Sequence, residues 1–189
     1  MTWSIVRATT RIMTHPLFFG YGSLVNRATH DYPDARTTRL DGWRRIWVRT
    51  EGREIAYLSA RPSEGHEIDG LMAAVPNADW AELDLRETGY DRLRLGTNTN
   101  SWIYSVPEAL HVASGDHVIL LSYLDVVAQG FLREFGEKGV GDFFATTDGW
   151  DTPILNDRSD PRYPRHQMLS KTETEMVDDH LSALSARIK

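Results

Sequence analysis

The stretch FFGYGSLVN, Phe18 to Asn26, sets two aromatic residues against a run holding two glycines, a tyrosine and a serine. Aromatics ahead of glycine suit the end of a buried strand, and glycine there allows unusual backbone angles. LFFGYGSL is therefore expected to be a short strand closing in a glycine turn. Such a turn is either a bend without a ligand or the wall of a site. A dinucleotide-binding turn requires a third glycine where this chain has Val25. A P-loop requires Gly-Lys-Ser or Gly-Lys-Thr after the glycines, and none follows. A hydrolase elbow places glycine two residues either side of its serine, whereas Ser23 has Tyr21 and Val25 there. Beside the plain bend there remains a loop whose main-chain N–H groups turn toward a bound oxygen, as an anion nest or oxyanion site.

The chain has 189 residues, a formal net charge of −6 and no cysteine. That length supports one sizeable core and is short for two, so residues 16–189 are expected to form one domain behind a loose lead-in at 1–15. The acidic balance speaks against bulk attraction to nucleic acid or to an anionic membrane, and for a small-molecule partner. Without cysteine there is no disulfide framework, thiolate metal site or thiol nucleophile. Arg7 and Arg11 interrupt the apolar residues of the N-terminus, and no run approaches the roughly 20 apolar residues of a membrane span; a cytoplasmic protein is the expectation. The histidines at 15, 30, 66, 111, 117, 166 and 180 show no His-Glu-x-x-His or paired ligand spacing, so no metal or other cofactor is expected.

Beyond the loop, residues 27–40 are polar and turn-rich. GWRRIWVRT (42–50), REIAYLSARP (53–62) and EIDGLMAAV (67–75) read as three strands. A helix is expected at 78–88, with Asn77 as N-cap, Asp79 in its first turn and Gly89 as its stop. YDRLRLG and SWIYSV read as further strands and HVILLSYL as the last. Leu124, Val127, Ala128, Phe131, Leu132 and Phe135 then give an amphipathic helix over 123–135, ended by Gly136. Residues 145–168 hold three prolines and form an irregular arm. Ser170 and Glu173 form a capping box for a C-terminal helix at 170–188, with Val177, Leu181, Leu184 and Ile188 along one stripe.

On the helix at 78–88, Trp80, Leu83 and Glu87 share a face at about 100° per residue, while Glu82 and Arg86 form an exposed i,i+4 pair. Glu87 therefore points inward, with Leu85 opposite. Desolvation raises the pKa of a buried carboxyl, which suits a general base that must later return its proton. The alternative is a structural pair with Arg92 or Arg94, or a side chain reaching solvent at the helix end. Arg158, Arg162 and Arg165 either hold a substrate carboxylate or pair with neighbours such as Asp157 and Asp160.

FGYGSL (19–24) together with LDLRETGYDRLRL (83–95) resembles the gamma-glutamylcyclotransferase superfamily, and its ChaC-like branch more than its AIG2-like one. GREIAYLSARPSEGHEIDGLMAAV (52–75) and SYLDVVAQGF (122–131) extend the resemblance over roughly residues 17–135. It implies an α+β fold: a small mixed β-barrel with surrounding helices and a C-terminal helix. It also implies Glu87 as catalytic acid/base, Tyr21, Gly22, Ser23 and Leu24 as the substrate-binding loop, and no cofactor. The implied activity is release of 5-oxoproline from glutathione, a gamma-glutamyl amino acid or a gamma-glutamylamine by attack of the substrate's own alpha-amino group. The rival from another class is a non-catalytic binding or sensor protein on the same fold.

Overall fold

The FFG motif ends strand β1, Leu17–Gly20, in a computed structural model that describes residues 15–189. Residues 1–14 of the expected lead-in lie outside the described part. β1 runs antiparallel to β3 (Tyr57–Ala74), with Phe19 opposite Met72, and parallel to β5 (Ser101–Ser105), with Phe19 opposite Ile103. A strand so placed is covered on both faces, and Phe18 and Phe19 are both buried. Phe19 joins the main core with Leu58, Leu71, Phe131 and Phe143, whereas Phe18 joins a smaller one with Leu24, Val75, Leu83 and Tyr104. The glycine turn therefore leaves the middle of the sheet between two cores.

Three more strands, β2 (Arg36–Val48), β4 (Asp91–Arg94) and β7 (Thr147–Asp148), complete the main sheet among the described residues, in the order β4-β5-β1-β3-β2-β7. The expected α+β class and mixed sheet are present, but the expected barrel is not closed. The edge strands β4 and β7 have four and two residues and do not pair with each other. β2 and β3 form one long hairpin. Its register shifts from Asp41 opposite Glu67 to Trp43 opposite Pro62, so Ser63 to His66 bulge out instead of turning between two separate strands. Pro62 is tolerated because β1 reaches only Leu71–Ala74 of β3, which leaves Pro62 paired on one side. The segment read as turn-rich up to residue 40 is already strand from Arg36.

Helix α1 covers Ala81–Arg86, shorter than expected at both ends. Asn77 is not its N-cap but sits at φ 56° in a 3-10 turn, Pro76–Ala78; the Ala81 N–H instead donates to Asp79 Oδ1 at 3.2 Å. Gly89, at φ 101°, ends the segment as expected. β6 keeps only Ile119–Leu120 of the expected last strand, and α2 (Leu121–Ala145) follows at once. Gly136 breaks α2 at φ 70°, ψ −172°, after which a second helical run continues to Ala145. α3 is Lys171–Ala183, with its capping box formed: Ser170 N–H to Glu173 Oε2 at 2.7 Å and Glu173 N–H to Ser170 Oγ at 3.2 Å. Val177 and Leu181 are buried, but Leu184 caps the helix and Ile188 lies beyond it, bridged to Ile154 of β8 (Ile154–Leu155).

The arm is irregular apart from β7 and β8, and it is tied to the start of α2. Asp157 accepts from the Ser122 N–H at 2.8 Å and the Ser122 Oγ–H at 2.6 Å, where the helix dipole favours negative charge. Burial works against that carboxylate, yet hydrogen bonds from Ser122 and the Arg162 N–H hold its pKa below the usual value. No helix among the described residues is long and apolar enough to cross a membrane.

Candidate active site

The loop after β1 continues as a 3-10 turn, Ser23–Val25, and is pinned from two sides. On one side, Asn26 is buried and its Nδ2 donates to Val126 O and Gln129 Oε1 of α2, each at 3.0 Å. A Cβ on Gly130 would lie 2.7 Å from Asn26 N, so glycine in α2 is what admits the loop this closely. On the other side, the buried Arg45 of β2 donates through Nε to Tyr21 O at 2.9 Å.

Neither glycine of the motif has a positive φ, and both are closely approached by other parts of the chain. A Cβ on Gly20 would meet Leu24 Cβ at 2.6 Å, and one on Gly22 would meet Tyr123 Oη at 2.6 Å and Leu58 Cδ2 at 3.2 Å. Gly22 thus lets a tyrosine hydroxyl lie against the main chain, whose Gly22 N–H donates to no main-chain carbonyl among the described residues. Gly22→Ala is expected to destabilise by about 1–3 kcal/mol through overpacking. Urea unfolding reads this as a lower midpoint at constant slope; an unchanged midpoint would mean that Tyr123 swings aside freely.

α1 presents Leu83 inward, leaves Leu85 77% exposed and ends at Arg86, so Glu87 follows at the helix terminus. As its face predicted, Glu87 points inward, with a side chain 15% exposed. Burial pushes its carboxyl up, with the charges of Arg86 and Arg165 pulling the other way. The structural alternative named Arg92 or Arg94, but Arg92 lies over Trp80 at 4.1 Å and Arg94 donates to Thr99 O.

Arg86, read from sequence as an exposed partner of Glu82, is instead turned inward with a side chain 6% exposed. It donates to Thr29 O at 2.9 Å and to Ser23 Oγ at 3.1 Å, and its Nε lies 3.2 Å from Glu87 Oε1. One guanidinium thereby joins the glycine loop to the carboxylate.

Glu87 also lines two hollows that share part of their walls. The inner one, about 30 Å³, lies under the loop and is lined by Tyr21, Gly22, Ser23, Leu24 and Glu87. The outer chamber, about 120 Å³, shares Ser23, Leu58, Glu87, Tyr90 and Tyr123 with it and adds Arg86, Tyr163 and Arg165. Within this site Tyr21 Oη is committed to Tyr104 O at 2.6 Å, and Leu24 is largely buried in the smaller core, so these two shape the wall. Tyr90 Oη is likewise committed to Leu58 O at 3.0 Å.

Tyr123 differs. The Ser23 main chain approaches its oxygen, and burial, followed by Tyr163 and Glu87, pushes its pKa well up, so the hydroxyl keeps its hydrogen. That hydrogen has no acceptor among the described residues. Tyr123 escaped the sequence reading because an aromatic at the start of an apolar helix looks like core; only the close approach to Gly22 distinguishes it.

The arm brings Tyr163 edge-on to Tyr123, with ring centroids 5.0 Å apart, and Arg165 to the chamber wall. Of the other arginines considered, Arg158 is bound to Asp125 and Asp178 at 2.8 and 2.7 Å, and Arg162 lies 3.7 Å from Glu54. Neither pairs through its guanidinium with Asp157 or Asp160. The described residues contain no group of three His, Cys, Asp or Glu able to hold a metal ion.

Comparison with known proteins bears on the same part of the chain. The family model described as gamma-glutamyl cyclotransferase, AIG2-like, matches residues 18–122, which include the loop, Glu87 and the start of α2. It is the branch to which the motif resemblance gave less weight. No curated protein matches the sequence. Among solved structures, one named gamma-glutamyl cyclotransferase is 14% identical, with a TM-score of 0.55 over 87% of this chain and 98% of its own. An uncharacterised protein of Homo sapiens is 13% identical, with a TM-score of 0.52 over 87% and 99%. YkqA of Bacillus subtilis is 15% identical, with a TM-score of 0.51 over 71% and 56%. At those identities the neighbours speak for the fold alone; on the family match, which spans more than half of its residues, the chain belongs to the gamma-glutamyl cyclotransferase, AIG2-like, family.

Proposed function

We propose that the protein is an enzyme that releases 5-oxoproline from a gamma-glutamyl amide, with Glu87 as its acid/base. The observation that carries this reading is the place of Glu87: one inward carboxyl, pushed up by burial, lines both the hollow under Gly22 and Ser23 and the chamber outside it. In the reaction, Glu87 takes a proton from the substrate's alpha-ammonium group. The freed amine attacks the gamma-carbonyl carbon, closing a five-membered ring and placing the electron pair of the C=O bond on oxygen. The ring nitrogen sheds its second ammonium hydrogen to water, and collapse of the oxyanion expels the amide nitrogen, which receives the proton from Glu87. The products are 5-oxoproline and a free amine. The nucleophile arrives on the substrate, so proximity worth about 7–11 kcal/mol needs no nucleophilic side chain or metal.

The oxyanion needs donors that are already in place. The Gly22 N–H and the Tyr123 hydroxyl suit this role, being adjacent and without an acceptor of their own. Tyr123→Phe keeps the ring packing and removes one donor. It is expected to lower kcat by about 10²-fold with little change in KM, the scale found for a lost oxyanion donor. A kcat within threefold of the parent would remove Tyr123 from the mechanism.

The overall reading is tested by incubating the protein with glutathione, gamma-glutamyl-alanine and gamma-glutamyl-lysine and measuring 5-oxoproline. Release from one of them is the expected result. Saturable binding without product from any would favour the non-catalytic sensor.

A further inference from the structure

The outer chamber carries two cations, Arg86 and Arg165, in very different states. Arg86 is committed to Thr29, Ser23 and Glu87, and it is nearly enclosed. Arg165 has no salt bridge among the described residues, although its charge is felt at Glu87. It also lines a surface trough of about 550 Å³ that adjoins the chamber and includes Asp31, Asp79 and Glu82. None of these three acids is within salt-bridge distance of it. The position of Arg165 is set by the arm: Asp157 fixes the arm to α2 through Ser122, and the Tyr163 N–H donates to Ser122 Oγ two residues before Arg165.

We infer that Arg165 recognises a carboxylate on the leaving half of the substrate, which directs the site toward gamma-glutamyl amino acids and away from gamma-glutamyl alkylamines. This inference rests on the cyclising reading for the direction in which the substrate lies. The gamma-carbonyl must meet Glu87 and the loop, which places the glutamyl half inward. The half that departs then lies in the outer chamber, whose wall and that of the adjoining trough both include Arg165. In a gamma-glutamyl amino acid the carboxylate is two bonds from the amide nitrogen, so it stays within the chamber whose wall holds Arg165. A guanidinium without an ion pair offers that group a fork of parallel N–H donors. Asp31, Asp79 and Glu82 lie in the adjoining trough and disfavour a second negative charge, so a leaving amino acid with a neutral side chain fits best.

The test uses gamma-glutamyl-alanine and gamma-glutamyl-ethylamide, which share the glutamyl half and differ in the leaving-side carboxylate. Calorimetric binding is measured in the Glu87→Gln background, with and without Arg165→Ala or Arg165→Lys, so the result does not depend on turnover. Arg165→Ala is expected to weaken gamma-glutamyl-alanine by about tenfold more than the ethylamide, the scale of one partly exposed charge-assisted contact. Arg165→Lys should recover part of that difference. Equal weakening of both ligands, weakening of neither, or no binding of either before Arg165 is changed overturns the assignment. Release of 5-oxoproline by the parent protein judges the cyclising reading separately: carboxylate discrimination without 5-oxoproline would uphold Arg165 and reject the reaction. Product formed with the same alanine-to-ethylamide preference in parent and Arg165→Ala would do the reverse.

Discussion

Glu87→Gln is expected to lower the rate of 5-oxoproline release by about 10²–10⁴-fold, the contribution of a positioned acid/base, while the folded protein holds or gains stability at pH 8. The two effects share one cause. Burial pushes the carboxyl above its ordinary value of 4.5, against the pull of Arg86 and Arg165. A carboxyl that binds its proton more tightly folded than unfolded contributes stability that is complete below the unfolded pKa and lost as pH rises through the folded one. Above that value the native state holds a buried carboxylate, which Gln avoids while still filling the space. The stability of the parent relative to Glu87→Gln should therefore decline between pH 5 and pH 8, read from urea midpoints at each pH. The acid limb of kcat/KM should fall above the ordinary carboxyl range, because the free enzyme must be deprotonated to accept the substrate's proton. Near-normal turnover in Glu87→Gln would sink the assignment. A large loss of stability at both pH values would make Glu87 a structural partner of Arg86.

The sequence carried this pair of features unevenly, for physical reasons. Glu87 was legible because helical spacing from Trp80 and Leu83 decides which side a residue faces, and α1 keeps that phase through its short length. Arg86 was misread by the same local logic. Glu82 four residues earlier looked like a sufficient partner, yet the partners used are Ser23 and Thr29, roughly 60 residues away and brought near only by the sheet. The glycine loop is legible as special, but the crowding around its glycines is not. Close approach by Leu24 and Tyr123 is a tertiary demand that leaves no mark on local backbone preference. The arm reads as irregular because its order comes from Asp157 holding Ser122, 35 residues earlier in the first turn of α2. Likewise, Pro62 and Gly65 look like a turn in sequence, and only the register of β2 against β3 shows a continuous bulged strand.

The alternation along β2 also decides where Arg45 points. In GWRRIWVRT, Trp43, Arg45 and Trp47 point to one side of β2, and that side is the core, where Arg45 is 0% exposed. Its guanidinium lies 4.8 Å and 5.4 Å from the ring centroids of Phe131 and Phe143. It donates to Tyr21 O, to Thr146 Oγ1 at 2.7 Å and to Asp69 O, and it has no carboxylate in salt-bridge range among the described residues. Burial pushes its pKa down to about 9, so the group is still charged at neutral pH.

Two terms oppose each other when Arg45 is removed. Relief of the buried charge favours the variant by several kcal/mol. Against it stand up to three acceptors left without donors, at about 1–3 kcal/mol each, and, in alanine, a cavity between two phenylalanine rings costing about 2–5 kcal/mol. For Arg45→Ala the second group is larger, and a net loss of about 3–5 kcal/mol is expected. In a domain of this size that lowers Tm by about 6–20 °C. Arg45→Met fills much of the cavity and isolates the hydrogen-bond term. It should recover part of the stability yet still raise KM, because Tyr21 O is no longer held and the loop can shift over the inner hollow. Arg45→Met with the parent's Tm and KM would show that the desolvation cost cancels all three hydrogen bonds, and that the loop is positioned by Asn26 and Gly130 alone.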